Sequence, residues 1–322
     1  MSITRILPST VRRGIGVAGA GFLLVLASHP AWSDTPEHIY SFAIVPQHKA
    51  TDLARHWTPL LQYLNEKTGY RFEFRTARDI PTFEQRLMQS EYDVAYLNPL
   101  QHVVFRQTTG YRAIARESGR SLHGILVVRA DSPYHTLRDL QGQTLAFPAP
   151  SAFAASLLTR ARLRAEDVRI VPSFVVSHDS VYYGVANGLF AAGGGARQTL
   201  DRLEPKVREK LRMLWMSEEY PPHPFVVHPR VPAAVTAALL QTLTGMGNDA
   251  RGRRLLAALG FHELVRAGDE EYEGVRKMVP GLRAEICALP ESYASDSASW
   301  LCAGTPATGN ARVEPISPAV PR

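Results

Sequence analysis

The sequence has few cysteines, and beyond residue 33 it has no apolar run long enough to cross a membrane. It contains no G-x-S-x-G, H-E-x-x-H or G-x-x-x-x-G-K-[ST] motif, which disfavours serine hydrolases of that type, zinc peptidases and P-loop nucleotide-binding proteins. His223 and His228 flank a proline and a predicted strand, but two histidines alone are weak support for a metal site. We therefore expect no cofactor and no metal.

The first 33 residues have the pattern of a secretory signal peptide. Three arginines precede an apolar run at residues 14–27, and small residues stand three and one positions before Asp34. We expect cleavage before Asp34, a periplasmic protein and no membrane insertion after cleavage. Removing three arginines and no acidic residue lowers the formal net charge from +6 to +3. Nucleic acid is not an expected partner, because the remaining basic residues are dispersed among acidic ones.

The two cysteines, Cys287 and Cys302, both lie near the C-terminus. In an oxidising compartment a disulfide between them is the leading interpretation. Two free thiols remain the alternative, since a sequence does not show whether the side chains meet.

Short apolar segments alternate with helical patterns along the chain. Residues 38–45, 93–97 and 144–147 are predicted strands, each followed by a loop and a helix. This β-α-β alternation predicts two α/β units with mostly parallel sheets, and segments 124–129 and 225–228 are candidate strands that cross between them. Ligands of such sheets bind beyond the carboxyl ends of the strands, here after residues 45, 97 and 147.

The stretch 144–156 is the leading candidate for an anion site. Two prolines follow the strand, and Ser151 stands where a helix N-cap is expected, before a run of strong helix formers. A helix N-terminus presents unpaired N–H groups that can receive an anion. The alternative is an ordinary strand-to-helix connection with a serine cap.

Two other segments allow more than one interpretation. Gly193–Gly195 follow a predicted strand at 189–192 and precede a helix, so they permit either close approach of a ligand to the backbone or a flexible loop. Ser177, His178 and Asp179 contain the residue types of a catalytic triad, but consecutive residues do not face one another on a strand or helix. We therefore predict that the protein is not an enzyme.

Several segments together resemble one family. They are DVAYLNP at 93–99, GILVVRADSP at 124–133, SHDS at 177–180 and VANGLF at 185–190. They resemble the periplasmic binding proteins of phosphate, phosphite and phosphonate ABC transporters, a branch of the type II bilobed binding proteins. The resemblance implies two α/β lobes joined by two hinge strands, with a small oxyanion held between them. The domains expected on this basis are a signal peptide at 1–33, lobe 1 at 34–127 and 226–302, lobe 2 at 128–225 and a disordered tail at 303–322.

The resemblance also implies a set of ligand-binding residues. The expected set is Gln47, Tyr96, Asn98, Ser151, Ala152, Phe153, His178, Tyr182 and Gly194, with the choice between Tyr182 and Tyr183 left open. Phosphonate binders of the family typically have Ser-Thr-Ser-Gly at the helix start, where this chain has Ser-Ala-Phe-Ala. Aminophosphonate binders place a carboxylate in lobe 2, where this chain has Ala192–Ala196 without an acid. Both departures weaken the expectation of a phosphonate, and above all of an amino-bearing one.

The expected function is capture of a small anion, namely a phosphonate-, phosphite- or phosphate-like oxyanion, by a monomer that delivers it to the permease of an ABC transporter. A sensor that presents the ligand to a membrane histidine kinase is the nearest alternative, and an exported hydrolase is a distant one. Some relatives bind arsenite, which needs a soft thiolate. Both cysteines lie outside the predicted cleft segments, which disfavours that ligand.

Overall fold

The computed structural model describes residues 38–287 together with Leu289 and Cys302. The predicted signal peptide and the predicted tail lie outside the described residues. The strands are β1 Ile39–Ile44, β2 Arg71–Arg75, β3 Val94–Tyr96, β4 Arg112–Glu117, β5 Gly124–Arg129, β6 Thr144–Phe147, β7 Val171–Phe174, β8 Ala192–Ala196, β9 Leu211–Met216, β10 Pro224–Val227 and β11 Leu264–Arg266. The α-helices are α1 Ala50–Thr68, α2 Ile80–Met88, α3 Pro99–Thr108, α4 Thr159–Ala165, α5 His178–Ala186, α6 Arg197–Asp201, α7 Pro205–Arg208, α8 Ala233–Gly245, α9 Ala250–Ala258 and α10 Glu273–Cys287. A π-helical turn, Phe153–Leu158, precedes α4, and short 3-10 turns occur at Leu137–Leu140, Met246–Asn248 and Asp269–Tyr272.

The strands form two mixed sheets, one in each lobe. Lobe 1 contains a six-stranded sheet in the order β11-β4-β10-β3-β1-β2, and lobe 2 a five-stranded sheet in the order β7-β6-β8-β5-β9. Strand β1 is parallel to β2 and β3, and β6 is parallel to β7 and β8, whereas the other pairs are antiparallel. The prediction of two α/β lobes is therefore confirmed, whereas the prediction that their sheets are mostly parallel was wrong. The sheet of lobe 1 is mixed because the chain re-enters this lobe after lobe 2, and its strand β10 then lies between β3 and β4 and runs antiparallel to both.

The lobes are joined by segments 118–123 and 217–223, not by the predicted hinge strands. Strand β5 pairs along its length with β8 and β9 in lobe 2, and β10 pairs with β3 and β4 in lobe 1. The predicted boundaries at 127/128 and 225/226 therefore fall inside strands. Between the sheets, Leu122 and Tyr220 form an antiparallel bridge with N···O distances of 2.8 and 2.9 Å. The two crossing segments are thus bonded to each other.

Gly193–Gly195 form the centre of a buried strand and not a loop. Strand β8 pairs with β5 and β6, and all five of its residues are buried. A Cβ on Gly194 would lie 1.9 Å from the Ala155 carbonyl oxygen, and one on Gly195 would lie 2.1 Å from the Tyr182 hydroxyl. The glycines therefore let a helical turn and a buried tyrosine pack directly on the strand backbone.

Apolar side chains from both lobes pack together. Ala149, Ala152 and Ala155 of lobe 2 share one buried cluster with residues of lobe 1 that include Ile80 and Leu97. A second cluster combines α3 and α10 with the π-helical turn. A disulfide joins Cys287, at the end of α10, to Cys302, with Cα atoms 5.8 Å apart. None of the helices in the described ranges is long and apolar enough to cross a membrane.

Candidate ligand-binding site

Two small cavities lie side by side between the lobes. The smaller, of about 10 Å³, is lined by Val45, Gln47, Ile80, Asn98, Ala152, Phe153, Ala154, Ala155, His178, Ala196 and His223. The larger, of about 50 Å³, is lined by Ile44, Val45, Gln47, His48, Leu53, Trp57, Tyr96, Glu117, Leu122, Ala196, Gln198, Thr199, Arg202, Pro222, His223 and Phe261. On this measure one water needs roughly 10–15 Å³, so the larger cavity has room for about four heavy atoms and the smaller for about one.

The start of a helical segment faces the smaller cavity. The π-helical turn Phe153–Leu158 continues directly into α4, and its first residues, Phe153 to Ala155, line the cavity. The N–H groups of a first helical turn have no partner within the helix, and the helix dipole adds partial positive charge there. The backbone predicted to meet an anion therefore does border a cavity.

Ser151 does not cap this helix. The N-cap position is Ala152, which has no side-chain cap, and the Ser151 hydroxyl donates across the lobe interface to the carboxylate of Glu84. Both residues are fully buried. The predicted capping role was wrong, because a carboxylate 67 positions earlier in the chain is the better acceptor for the hydroxyl.

His178 is buried beside the same cavity. It is the first residue of α5, whose N-cap is Ser177, and only 3% of it is exposed. Its Nδ1 lies 3.2 Å from the Thr199 hydroxyl, whereas its Nε2 has no hydrogen-bond partner among the described residues. Burial lowers the pKa of His178 to about 3, so the imidazole is neutral at neutral pH.

Gln47 and His223 separate the two cavities. Each lines both of them, and the Gln47 Nε2 lies 3.1 Å from the His223 Nε2. The His223 ring is stacked on that of Tyr96, with centroids 5.3 Å apart. The pKa of His223 is lowered to about 3, mainly by burial and to a smaller extent by the positive charge of Arg202. Two neutral imidazoles and an amide therefore meet at the boundary.

The larger cavity has aromatic and charged walls. The Tyr96 ring lies 5.0 Å from Trp57 and 5.9 Å from Phe261, measured between centroids. Glu117 from β4 and Arg202 from lobe 2 supply opposite charges. Burial raises the pKa of Glu117 above its ordinary value. This cavity can accommodate an apolar group while offering polar partners at its wall.

The lobes also contact each other at the rim of the cleft. The His178 N–H donates to the Gln47 carbonyl at 3.3 Å, and His48 Nδ1 lies 3.1 Å from an Asp179 carboxylate oxygen. Ser177, His178 and Asp179 thus have separate partners: Ser180, Thr199 and His48. They form no catalytic relay in this arrangement.

The structure brings together six of the nine predicted ligand residues around the cavities: Gln47, Tyr96, Asn98, Ala152, Phe153 and His178. The Tyr182 hydroxyl is instead buried against Thr199 and the Ala196 carbonyl, while Tyr183 is 37% exposed and lines neither cavity. Ser151 and Gly194 are buried outside the two linings.

Sequence reasoning missed much of the larger cavity. The missed polar and aromatic residues are His48, Trp57, Glu117, Gln198, Thr199, Arg202, His223 and Phe261. They come from six separate stretches of the chain, and no motif connects them. His223 offered the one available signal, because it and His228 flank a proline and a predicted strand, but that signal suggested only a weak metal pair. In the structure His228 packs instead against Tyr111.

Residues 42–272 match a protein-family model described as "ABC transporter, phosphonate, periplasmic substrate-binding protein". The phosphonates-binding periplasmic protein of Escherichia coli K12 is 22% identical over 279 residues, which is 80% of this chain and 80% of that protein. The phosphate-import protein PhnD of Mycolicibacterium smegmatis is 25% identical over 232 residues, covering 62% of this chain and 71% of that protein.

Solved structures share the bilobed fold. A binding-protein component of an ABC phosphonate transporter from Pseudomonas aeruginosa superposes with a TM-score of 0.71 at 19% identity, covering 83% of this chain and 95% of that one. A Prochlorococcus marinus protein in complex with methylphosphonate gives 0.70 at 15% identity, covering 76% and 98%. At these identities the likeness concerns the fold.

Proposed function

This chain belongs to the family of periplasmic substrate-binding proteins of phosphonate ABC transporters, and on that premise we propose that it captures a small phosphonate-like oxyanion between its lobes. The protein acts as a monomer that is exported by its signal peptide, which is then cleaved. It delivers the oxyanion to the permease of an ABC transporter. The sensor function is not favoured, since the family model describes an ABC transporter protein and the Mycolicibacterium smegmatis relative is a phosphate-import protein. Catalysis has no support in the separate partners of Ser177, His178 and Asp179.

One observation carries the proposal. The first turn of the helical segment at Phe153–Ala155 borders the same cavity as the buried His178, whose Nε2 has no hydrogen-bond partner among the described residues. Backbone N–H groups at a helix start can donate to an oxyanion, and a buried imidazole with a free ring nitrogen is a second donor once that nitrogen carries the proton.

The hydrogen bonds around His178 can stabilise the neutral imidazole that carries its proton on Nε2. The Tyr182 hydroxyl can donate to the Ala196 carbonyl at 3.0 Å. The Thr199 hydroxyl lies 2.7 Å from the same carbonyl and 3.2 Å from His178 Nδ1, and it can turn its single proton from the carbonyl to Nδ1. With Nδ1 accepting, the proton of the neutral ring lies on Nε2, toward the cavity. A bound oxyanion selects this arrangement without adding a charge to the ring. Tyr182 thus acts through Thr199 and His178.

A tetrahedral oxyanion is larger than the smaller cavity as it stands. The ligand therefore displaces the contact between Gln47 and His223, after which the two cavities become one. The Gln47 amide, released from His223, becomes a further donor. We assign the oxyanion to the helix side and the rest of the ligand to the aromatic side.

Thermal shift and titration calorimetry with methylphosphonate, phosphite, phosphate and sulfate test this function. A ligand at 100 times its dissociation constant adds about 2.7 kcal/mol to the free energy of unfolding. We expect one of the phosphorus oxyanions to bind, and His178→Ala to weaken it by at least about tenfold through loss of a charge-assisted hydrogen bond. The exposed His135→Ala is the matched control. Binding of none of the phosphorus anions, or unchanged affinity in His178→Ala, would contradict the proposal.

A further inference from the structure

Gln198, which lines the larger cavity, carries a buried hydrogen-bond acceptor that has no partner among the described residues. The Gln198 Nε2 donates to the Ser121 carbonyl at 2.7 Å, which fixes the orientation of the amide because a carbonyl requires a donor. The Gln198 Oε1 is then buried and has no partner among the described residues. An unsatisfied buried acceptor destabilises the protein, so a ligand donor that reaches this position would be favoured.

Glu117 supplies a second acceptor to the same cavity. Only 6% of the residue is exposed, and the contacts of its carboxylate, with the His262 N–H at 3.3 Å and Arg120 Nε at 3.7 Å, are both on Oε1. Its Oε2 has no hydrogen-bond partner among the described residues. Glu117 comes from lobe 1 and Gln198 from lobe 2, so a group that meets both also joins the lobes.

The charge around these acceptors favours a neutral donor. Arg120 lies beside Glu117, and Arg202 lines the cavity from the other lobe. Two guanidinium groups offset the carboxylate and repel an ammonium group. A hydroxyl group meets the acceptors without that repulsion, and its short alkyl stem can pack on Trp57, Tyr96 and Phe261.

We propose that the ligand is an oxyanion with a short hydroxyalkyl substituent, whose single hydroxyl proton is shared between the acceptors Glu117 Oε2 and Gln198 Oε1. This inference rests on the function proposed above and names the substrate class of the same site. The volume of the larger cavity limits the substituent to a few heavy atoms.

Three phosphonates of equal size test the proposal on the parent protein. Hydroxymethylphosphonate, ethylphosphonate and aminomethylphosphonate each carry a substituent of two heavy atoms that ends in a hydroxyl, methyl or ammonium group. In titration calorimetry we expect the hydroxyl compound to bind about tenfold more tightly than the ethyl compound, the equivalent of one hydrogen bond to a charged or unsatisfied acceptor. We expect the ammonium compound to bind more weakly than the hydroxyl compound.

The variant Glu117→Gln tests whether the preference for the hydroxyl over the ethyl compound depends on Glu117. The substitution keeps the side-chain shape and replaces an acceptor by an N–H donor, so the hydroxyl-to-ethyl affinity ratio should fall to within about twofold. Gln198→Met should reduce the same ratio and provides a second route if Glu117→Gln does not fold. Glu66→Gln, on the exposed face of α1, is the control.

The outcomes separate this inference from the proposed function. If all three phosphonates bind equally, if the ethyl or ammonium compound binds best, or if both variants keep the parent ratio, the hydroxyalkyl assignment fails and the oxyanion site remains. If no phosphonate, phosphite or phosphate binds, the proposed function fails, and the substituent site fails with it.

Discussion

The Ser151 hydroxyl lies 2.9 Å from each carboxylate oxygen of Glu84, and this bond joins lobe 2 to lobe 1 directly beside the helix start that faces the smaller cavity. Gln101 donates to the same carboxylate at 2.9 Å. A residue that the sequence suggested as an anion-binding cap is therefore part of the interface between the lobes.

Ser151→Asp should destabilise the protein, because it brings a second carboxylate against buried Glu84. We expect the free energy of unfolding at pH 7 to fall by about 3 kcal/mol, the scale of an uncompensated buried charge. Urea denaturation measures this loss. Glu84→Gln in the same chain removes the like-charge contact and should recover part of the stability. A Ser151→Asp protein as stable as the parent would contradict the contact.

Gly194→Ala should destabilise lobe 2, because the new Cβ would lie 1.9 Å from the Ala155 carbonyl oxygen in a fully buried strand. Overpacking of this kind typically costs about 1–3 kcal/mol. Gly281→Ala is the matched control, since its Cβ meets nothing within 4 Å and it lies inside α10. There alanine should stabilise the helix by about 1 kcal/mol. Equal melting temperatures for the two variants would argue against the close packing of β8.

Stability should decline as the pH falls below 6.5, because of the buried histidines His178 and His223. Burial lowers both pKa values from 6.5 to about 3. Above pH 6.5 the unfolded chain is also neutral at these sites, so their contribution to stability is fully present. Below pH 6.5 both histidines become protonated in the unfolded chain, whereas in the folded protein they stay neutral down to about pH 3. Each histidine then contributes a loss of about 1.4 kcal/mol per pH unit.

Urea denaturation at pH 7, 6 and 5 measures this slope. His178→Gln and His223→Gln should each flatten it by the share of one histidine, whereas the exposed His135→Gln should leave it unchanged. A slope that is the same in all four proteins would show that these imidazoles are not held neutral by burial.

The disulfide between Cys287 and Cys302 should stabilise the region around α10. A closed loop of about 15 residues contributes roughly 3 kcal/mol in the chain-entropy description. Digestion of the exported protein without reductant should yield the two cysteine peptides linked, and Cys287→Ser with Cys302→Ser should unfold at lower urea concentration. Alkylation of both thiols in the unreduced protein would exclude the bond.

Local patterns were sufficient for much of the secondary structure. A helix does follow the strand predicted at 93–97, and its start at Asn98–Pro99 is a local signal, because an asparagine N-cap before proline is contained in a few adjacent residues. The position of His178 beside the cleft, in contrast, was expected only because the resemblance to the family implied it. The two α/β lobes followed from the alternation of apolar and amphipathic segments over most of the chain.

Contacts between distant segments determined the rest. Glu84 and Ser151, Gln47 and His223, and the acceptors Glu117 and Gln198 are each separated by at least 67 positions. The sequence around one residue does not indicate its distant partner, because a hydrogen bond between them depends on where the folded backbone places both groups. The same reason applies to Gly193–Gly195, whose composition suits a loop as well as a strand, until Ala155 and Tyr182 pack so closely that only glycine fits.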